Sequence, residues 1–289
     1  MAVIDARPVL SIGAELGEGP LWLGEDLWFV DIKGRRIYRH TPATDALAQW
    51  EAPEYVGWVL PSHLGEPIVG LQSGLHRFSP ETGAFAPLAS IDPDLPANRL
   101  NDAAIDPAGR VFFGTMDNQE GAATGRVYVL DQGAVTQTAI EPCVITNGPA
   151  IPPDGACLYH VDTLARRVTR HAIAPEGSVG AAEAFLHFTG DEGHPDGAIC
   201  DAEGGVWIAF YGGWAARRYD AAGQMTDVVR FPVANVTKIA IGGADGHTAF
   251  ATTARQGLSP DALARQPLAG DIFTFPVAIP AAPSIAANT

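Results

Sequence analysis

Basic residues are scarce in this chain: 18 Lys and Arg stand against 33 Asp and Glu, a net charge of −15. Nucleic acid and anionic membranes repel such a surface, so neither is an expected partner. Cysteine is scarcer. Cys143, Cys157 and Cys200 are odd in number and form no CxxC pair, so no disulfide framework is expected. They read as small apolar core residues of a protein in a reducing, cytoplasmic setting. No run approaches the roughly 18–20 apolar residues of a membrane span. The opening Met1-Ala2-Val3-Ile4-Asp5-Ala6-Arg7 lacks the apolar stretch of a signal peptide. There is no P-loop, HExxH or EF-hand loop. Gly70-Leu71-Gln72-Ser73-Gly74 places its Ser one position too late for a nucleophile elbow. Helical patterns are nearly absent. The exception is Ser259–Ala264, with Ser259 as cap and Pro260 at the first helical position.

Turn residues and short β-type runs fill the rest, with 32 Gly and 23 Pro. Six runs look alike, among them Leu27-Trp28-Phe29-Val30-Asp31, Val111-Phe112-Phe113-Gly114-Thr115 and Val206-Trp207-Ile208-Ala209-Phe210. Their central residues are 29, 69, 113, 160, 208 and 251, spaced by 40 to 48 positions. Each is followed by a second run, such as Arg36-Ile37-Tyr38-Arg39. A unit of about 40–50 residues and four strands is a propeller blade. One blade cannot bury its own faces, so the units must stack, and radial stacking leaves few exposed edges. The expectation is an all-β, six-bladed β-propeller forming a single domain over residues 1–289. Only the Ala- and Pro-rich tail beyond Pro280 reads as loose.

A third run precedes each of the six and should form the innermost strand. These runs begin with polar residues: Gly17-Glu18-Gly19-Pro20, Arg99-Leu100-Asn101-Asp102, Thr146-Asn147-Gly148-Pro149 and His194-Pro195-Asp196-Gly197. Glu18, Asn101, Asn147 and Asp196 recur at about one blade length or its double. Matching positions of inner strands converge on one mouth of a propeller channel, so four oxygen-bearing side chains should meet there. Packed carboxylates repel unless a cation balances them. All-oxygen ligation suits hard ions such as calcium, magnesium or manganese. No histidine stands at a matching strand start, so a His-rich zinc site is not indicated. Taken singly, Asn147-Gly148 and Asp196-Gly197 are also good turn dipeptides, and His194 reads as a loop residue before Pro195. Trp58 and Trp214 read as packing residues that could also flank the mouth and contact a sugar.

With these segments, Gly109-Arg110-Val111-Phe112-Phe113-Gly114-Thr115-Met116 and Thr252-Thr253-Ala254-Arg255, the chain resembles the gluconolactonase/regucalcin (senescence marker protein) family over roughly residues 10–275. The resemblance implies a six-bladed propeller with one divalent metal (calcium, iron(II), manganese or zinc) at one mouth of the channel. It implies Glu18, Asn147 and Asp196 as metal ligands and Arg99 and Asn101 as substrate-binding residues. Glu120 corresponds to a family acid in the loop after the Gly-Thr-Met turn, and Leu100 stands where the family often has Pro. The implied activity is metal-dependent hydrolysis of a sugar lactone, such as xylono-, arabinono- or gluconolactone, by a monomer, with Asp196 as proton acceptor. Two alternatives stay open: a non-enzymatic calcium-binding regulator, and a lactonase or phosphotriesterase acting on apolar esters.

Overall fold

The computed structural model describes residues 1–289 and holds six β-sheets and one six-residue helix, Pro260–Arg265. As expected for that helix, Ser259 caps it by accepting a hydrogen bond from the Ala262 N–H. Each sheet starts at an inner strand: Gly17–Leu23, Val56–Leu60, Asn98–Ile105, Thr146–Ala150, His194–Cys200 and Val236–Gly242. The chain then meanders outward through antiparallel neighbours. Every inner strand packs on the inner strands of the adjoining sheets, and the last packs on the first. The result is a closed six-bladed β-propeller, numbered here as blades 1–6 in the order of the inner strands.

Apolar side chains on both faces of each blade fill the spaces between blades. Trp58 of blade 2 meets Phe113 of blade 3, with ring centroids 6.2 Å apart, and Trp207 of blade 5 meets Phe275 of blade 6 at 5.9 Å. Such pairs bury large apolar areas and fix how neighbouring sheets face each other. Cys143 and Cys200 are buried in this core.

The chain closes the ring with its own beginning. Blade 6 draws only three strands from its own stretch of sequence. Its outer strand is Arg7–Leu10, antiparallel to Ile272–Pro276. Ala2–Asp5 adds a fifth strand to blade 5, parallel to Met225–Arg230.

Two expectations need correction. The tail beyond Pro280 is not loose. The Ala202 N–H donates to Pro280 O, Ala281 N–H to Gly246 O, Ala287 N–H to Pro61 O and Asn288 N–H to Gly109 O. Ala287 is fully buried. The tail therefore runs as a strap from blades 5 and 6 to blades 2 and 3, across the mouth where the inner strands end. The second correction concerns register. Every inner strand is irregular at the same level, between Glu18 and Leu21, Val56 and Trp58, Leu100 and Ala103, Asn147 and Ala150, Pro195 and Ala198, and Val236 and Lys238. Beyond the irregularity, the residues facing the inner strands are Trp28, Val69, Phe113, Tyr159, Ile208 and Ala251. The repeat read from sequence is thus one residue late in blades 1 and 4, at 29 and 160. By the same pairing, Glu18 and Asn147 sit one place before Asn101 and Asp196.

Candidate active site

The irregular level creates the site. A bulge adds a residue to one strand and re-aims its side chains. In blades 1 and 4 the polar residue precedes a Gly-Pro pair, and in blades 3 and 5 it is the first residue of the bulge itself. Gly19 and Gly148 adopt φ of 53° and 67°, which side-chain-bearing residues rarely do. The dipeptides Asn147-Gly148 and Asp196-Gly197, which also read as turns, therefore lie within strands.

Glu18, Arg99, Asn101, Glu120, Asn147 and Asp196 come together around one cavity of about 250 Å³. All but Glu120 are buried; Glu120 is exposed at its rim, held there with φ of 57°. A single hydrogen-bonded chain links three blades. Arg99 Nη1 donates to Asn101 Oδ1 at 2.7 Å, Asn101 Nδ2 to Asn147 Oδ1 at 3.1 Å, and Asn147 Nδ2 to Asp196 Oδ1 at 2.6 Å. Asn101 Nδ2 also donates to Thr146 O, and Asn147 Nδ2 to Thr163 Oγ1. Glu18 Oε2 accepts the Gly19 N–H at 2.7 Å.

Sequence reasoning missed several residues here. Thr163, Tyr211 and Gln256 line the cavity, and so does His194, which is no loop residue but the first residue of its strand. His194 Nε2 lies 2.8 Å from Arg166 Nη2. These positions carry no periodic signal, because they occupy different places within their blades. Conversely, Trp58 is buried against Phe113, and neither it nor the exposed Trp214 lines this cavity.

A second missed feature lies beneath the site. Asp102, beside Asn101, pairs with Lys238 of blade 6, and both are buried. Blades 3 and 6 face each other across the ring, so this ion pair crosses the channel. Gly197 makes room for it, since a Cβ there would stand 2.6 Å from Lys238 Cβ. Asp102 Oδ2 has no hydrogen-bond partner.

The electrostatics follow from this crowding. Three buried carboxylates (Glu18, Asp102 and Asp196) face two buried cations, Arg99 and Lys238. Burial, and then the Asp102 charge, push Glu18 up to about 8 against the pull of Lys238. Burial, then Glu18 and Asp102, raise Asp196 well above the usual carboxylate range. Burial lowers Arg99 to about 10, although Glu18, Glu120 and Asp196 hold it up.

No three acid, imidazole or thiol groups lie together in metal-ligating geometry. A metal here would need the Asn147 amide oxygen as well as Glu18 and Asp196. The donor chemistry fits a hard divalent ion. Asn147 Oδ1 accepts one hydrogen bond and has a second lone pair. The site carries one more carboxylate than cation, which a positive ion would offset.

The SMP-30/Gluconolactonase/LRE-like region model matches residues 16–255. An L-arabinolactonase of Azospirillum brasilense is 36% identical over 266 residues, covering 89% of this chain and 87% of that protein. A regucalcin of Oryctolagus cuniculus is 32% identical over 282 residues, with 94% of each chain covered. Among solved structures, a calcium-binding regucalcin from Agrobacterium tumefaciens superposes with a TM-score of 0.94 at 27% identity, over 100% of this chain and 99% of that one.

Proposed function

Because the chain belongs to the SMP-30/gluconolactonase/LRE-like family, we propose that it is a metal-dependent hydrolase of sugar lactones, acting as a monomeric cytoplasmic enzyme of one domain. The observation that carries this reading is the Arg99–Asn101–Asn147–Asp196 hydrogen-bonded chain ending on a buried carboxylate beside Glu18. Hydrolysis of a neutral cyclic ester needs a polarised carbonyl, a proton acceptor for water and donors for the hydroxyls and the developing oxyanion. Glu18, Asn147 and Asp196 would hold the ion. Bound there, a divalent cation supplies Lewis-acid polarisation of an ester carbonyl. Calcium, manganese, iron(II) and zinc are the ions to test.

Asp196 takes the proton of the attacking water. Burial strengthens its hold on a proton, and a bound cation would keep it ionised and ready to accept one. Arg99 has three hydrogen bonds to protein oxygens and further N–H groups for substrate. It orients the hydroxyls and meets the oxyanion. Asn101 holds both Arg99 and Asn147 in place, and Glu120 at the rim accepts from sugar hydroxyls. The polar lining favours a polyol over an apolar ester. Xylono-, arabinono- and gluconolactone form the substrate panel, and the arabinolactonase relative puts arabinonolactone first.

The test is indicator-monitored hydrolysis of that panel by metal-stripped and metal-restored protein, with spontaneous opening subtracted. Turnover should vanish on stripping and return with one ion. Asp196→Asn should lower kcat by about 10²–10⁴-fold at saturating metal. The likeness to a calcium-binding regucalcin supports a second reading, a binding-only regulator. That reading holds if metal-loaded protein never exceeds the background rate.

A further inference from the structure

The far half of the channel differs in chemistry from the candidate active site. It encloses a cavity of about 440 Å³, formed by the ends of the six inner strands and roofed by the C-terminal strap. Its lining is largely hydrocarbon, including Leu21, Trp22, Ile105, Ile199 and Ile241, with Ile285 contributed by the strap. Leu21, Trp22, Ile105, Ile151 and Ile199 are only half-buried, so the chamber is open to a small molecule from outside. Lys238 is the one charged residue in the lining, and its ammonium is engaged by Asp102.

We propose that this cavity is a second binding site, for an uncharged and predominantly apolar small molecule. Its volume and lining are those of ligand pockets. Aliphatic walls offer water too few hydrogen bonds to hold it well, whereas apolar cavities of smaller size bind hydrocarbons. With its single charge already paired, the site gives a carboxylate or phosphate nothing to neutralise it. Among the lining side chains only Trp22, Trp58, Cys200, Ser284 and the paired Lys238 carry a hydrogen-bonding group, a poor match for the several hydroxyls of a sugar lactone. The Asp102–Lys238 pair separates the two chambers, so the ligand would not enter the active site.

The probe is N-phenyl-1-naphthylamine, an uncharged aromatic whose fluorescence rises on leaving water. Full-length protein should bind one equivalent saturably, and excess xylonolactone should not displace it. Ala104→Trp places an indole in the cavity and should weaken binding by about tenfold or more, with circular dichroism unchanged. Ile285→Trp fills the same cavity from the strap rather than from an inner strand, and should weaken binding to a similar degree. Absence of saturable binding, or displacement by the lactone, overturns the proposal. Undiminished binding in both variants, each folded by circular dichroism, overturns it as well.

Discussion

At the mouth where the inner strands begin, each is bulged, and four of them present Glu18, Asn101, Asn147 or Asp196 to the channel. At the mouth where the same strands end, their register is regular and they present Leu21, Ile105, Ile199 and Ile241 to a hydrocarbon chamber. The ring and its blades are shared, so the contrast is not one of fold. It comes from one extra residue per strand, which turns polar side chains into the lumen at one level only. The Asp102–Lys238 pair marks the frontier between the two chambers.

Removing that frontier has the largest expected effect on the fold. Lys238→Met leaves the Asp102 carboxylate buried without a counter-ion and should cost about 3–5 kcal/mol in urea unfolding. Adding Asp102→Leu should recover much of the loss, since an apolar pair leaves no orphaned charge. A loss near zero for Lys238→Met would show that water reaches Asp102 and that the chambers communicate. Arg99→Ala addresses the polar mouth alone. KM for the lactone should rise about 10–100-fold, the worth of a charge-assisted hydrogen bond or two, with metal content unchanged. Any change in probe binding at the apolar mouth would break the proposed independence. The smallest effect belongs to neither mouth. His160, in the second strand of blade 4, is lowered from 6.5 to about 3 by burial, helped by His171 and Arg167. The unfolded chain therefore binds the extra proton between those values, and stability falls as pH drops below about 6.5. From pH 7 to pH 5 this single group should cost about 2 kcal/mol, and His160→Phe should flatten that slope of the unfolding free energy.

The polar mouth was legible because its residues break a repeated pattern. Glu18, Asn101, Asn147 and Asp196 interrupt apolar strands within one residue of the same point, and an interruption repeated in four units has few causes. The one-residue offset between blades 1 and 4 and blades 3 and 5 was not legible, since bulge register depends on pairing with the next strand. The strap escaped for another reason. Its order rests on backbone groups such as the Asn288 N–H on Gly109 O, at 2.7 Å, and any sequence carries those. Lys238 and Asp102 stood in plain view, but pairing across the ring leaves no trace in spacing along the chain.

The outer strand of blade 6 has a temporal side. Arg7–Leu10 is made long before its partner Ile272–Pro276, 262 positions separating Leu10 from Ile272. At roughly 5–20 residues per second, the nascent chain carries that unmatched edge for on the order of ten seconds or longer. The ring cannot close until Ile272–Pro276 has been made. An open strand edge is a template for the wrong partner, and proline and charge are the residues that blunt it. Arg7 and Pro8 stand at the start of this one, so the segment that later seals the ring is poorly suited to seal anything else.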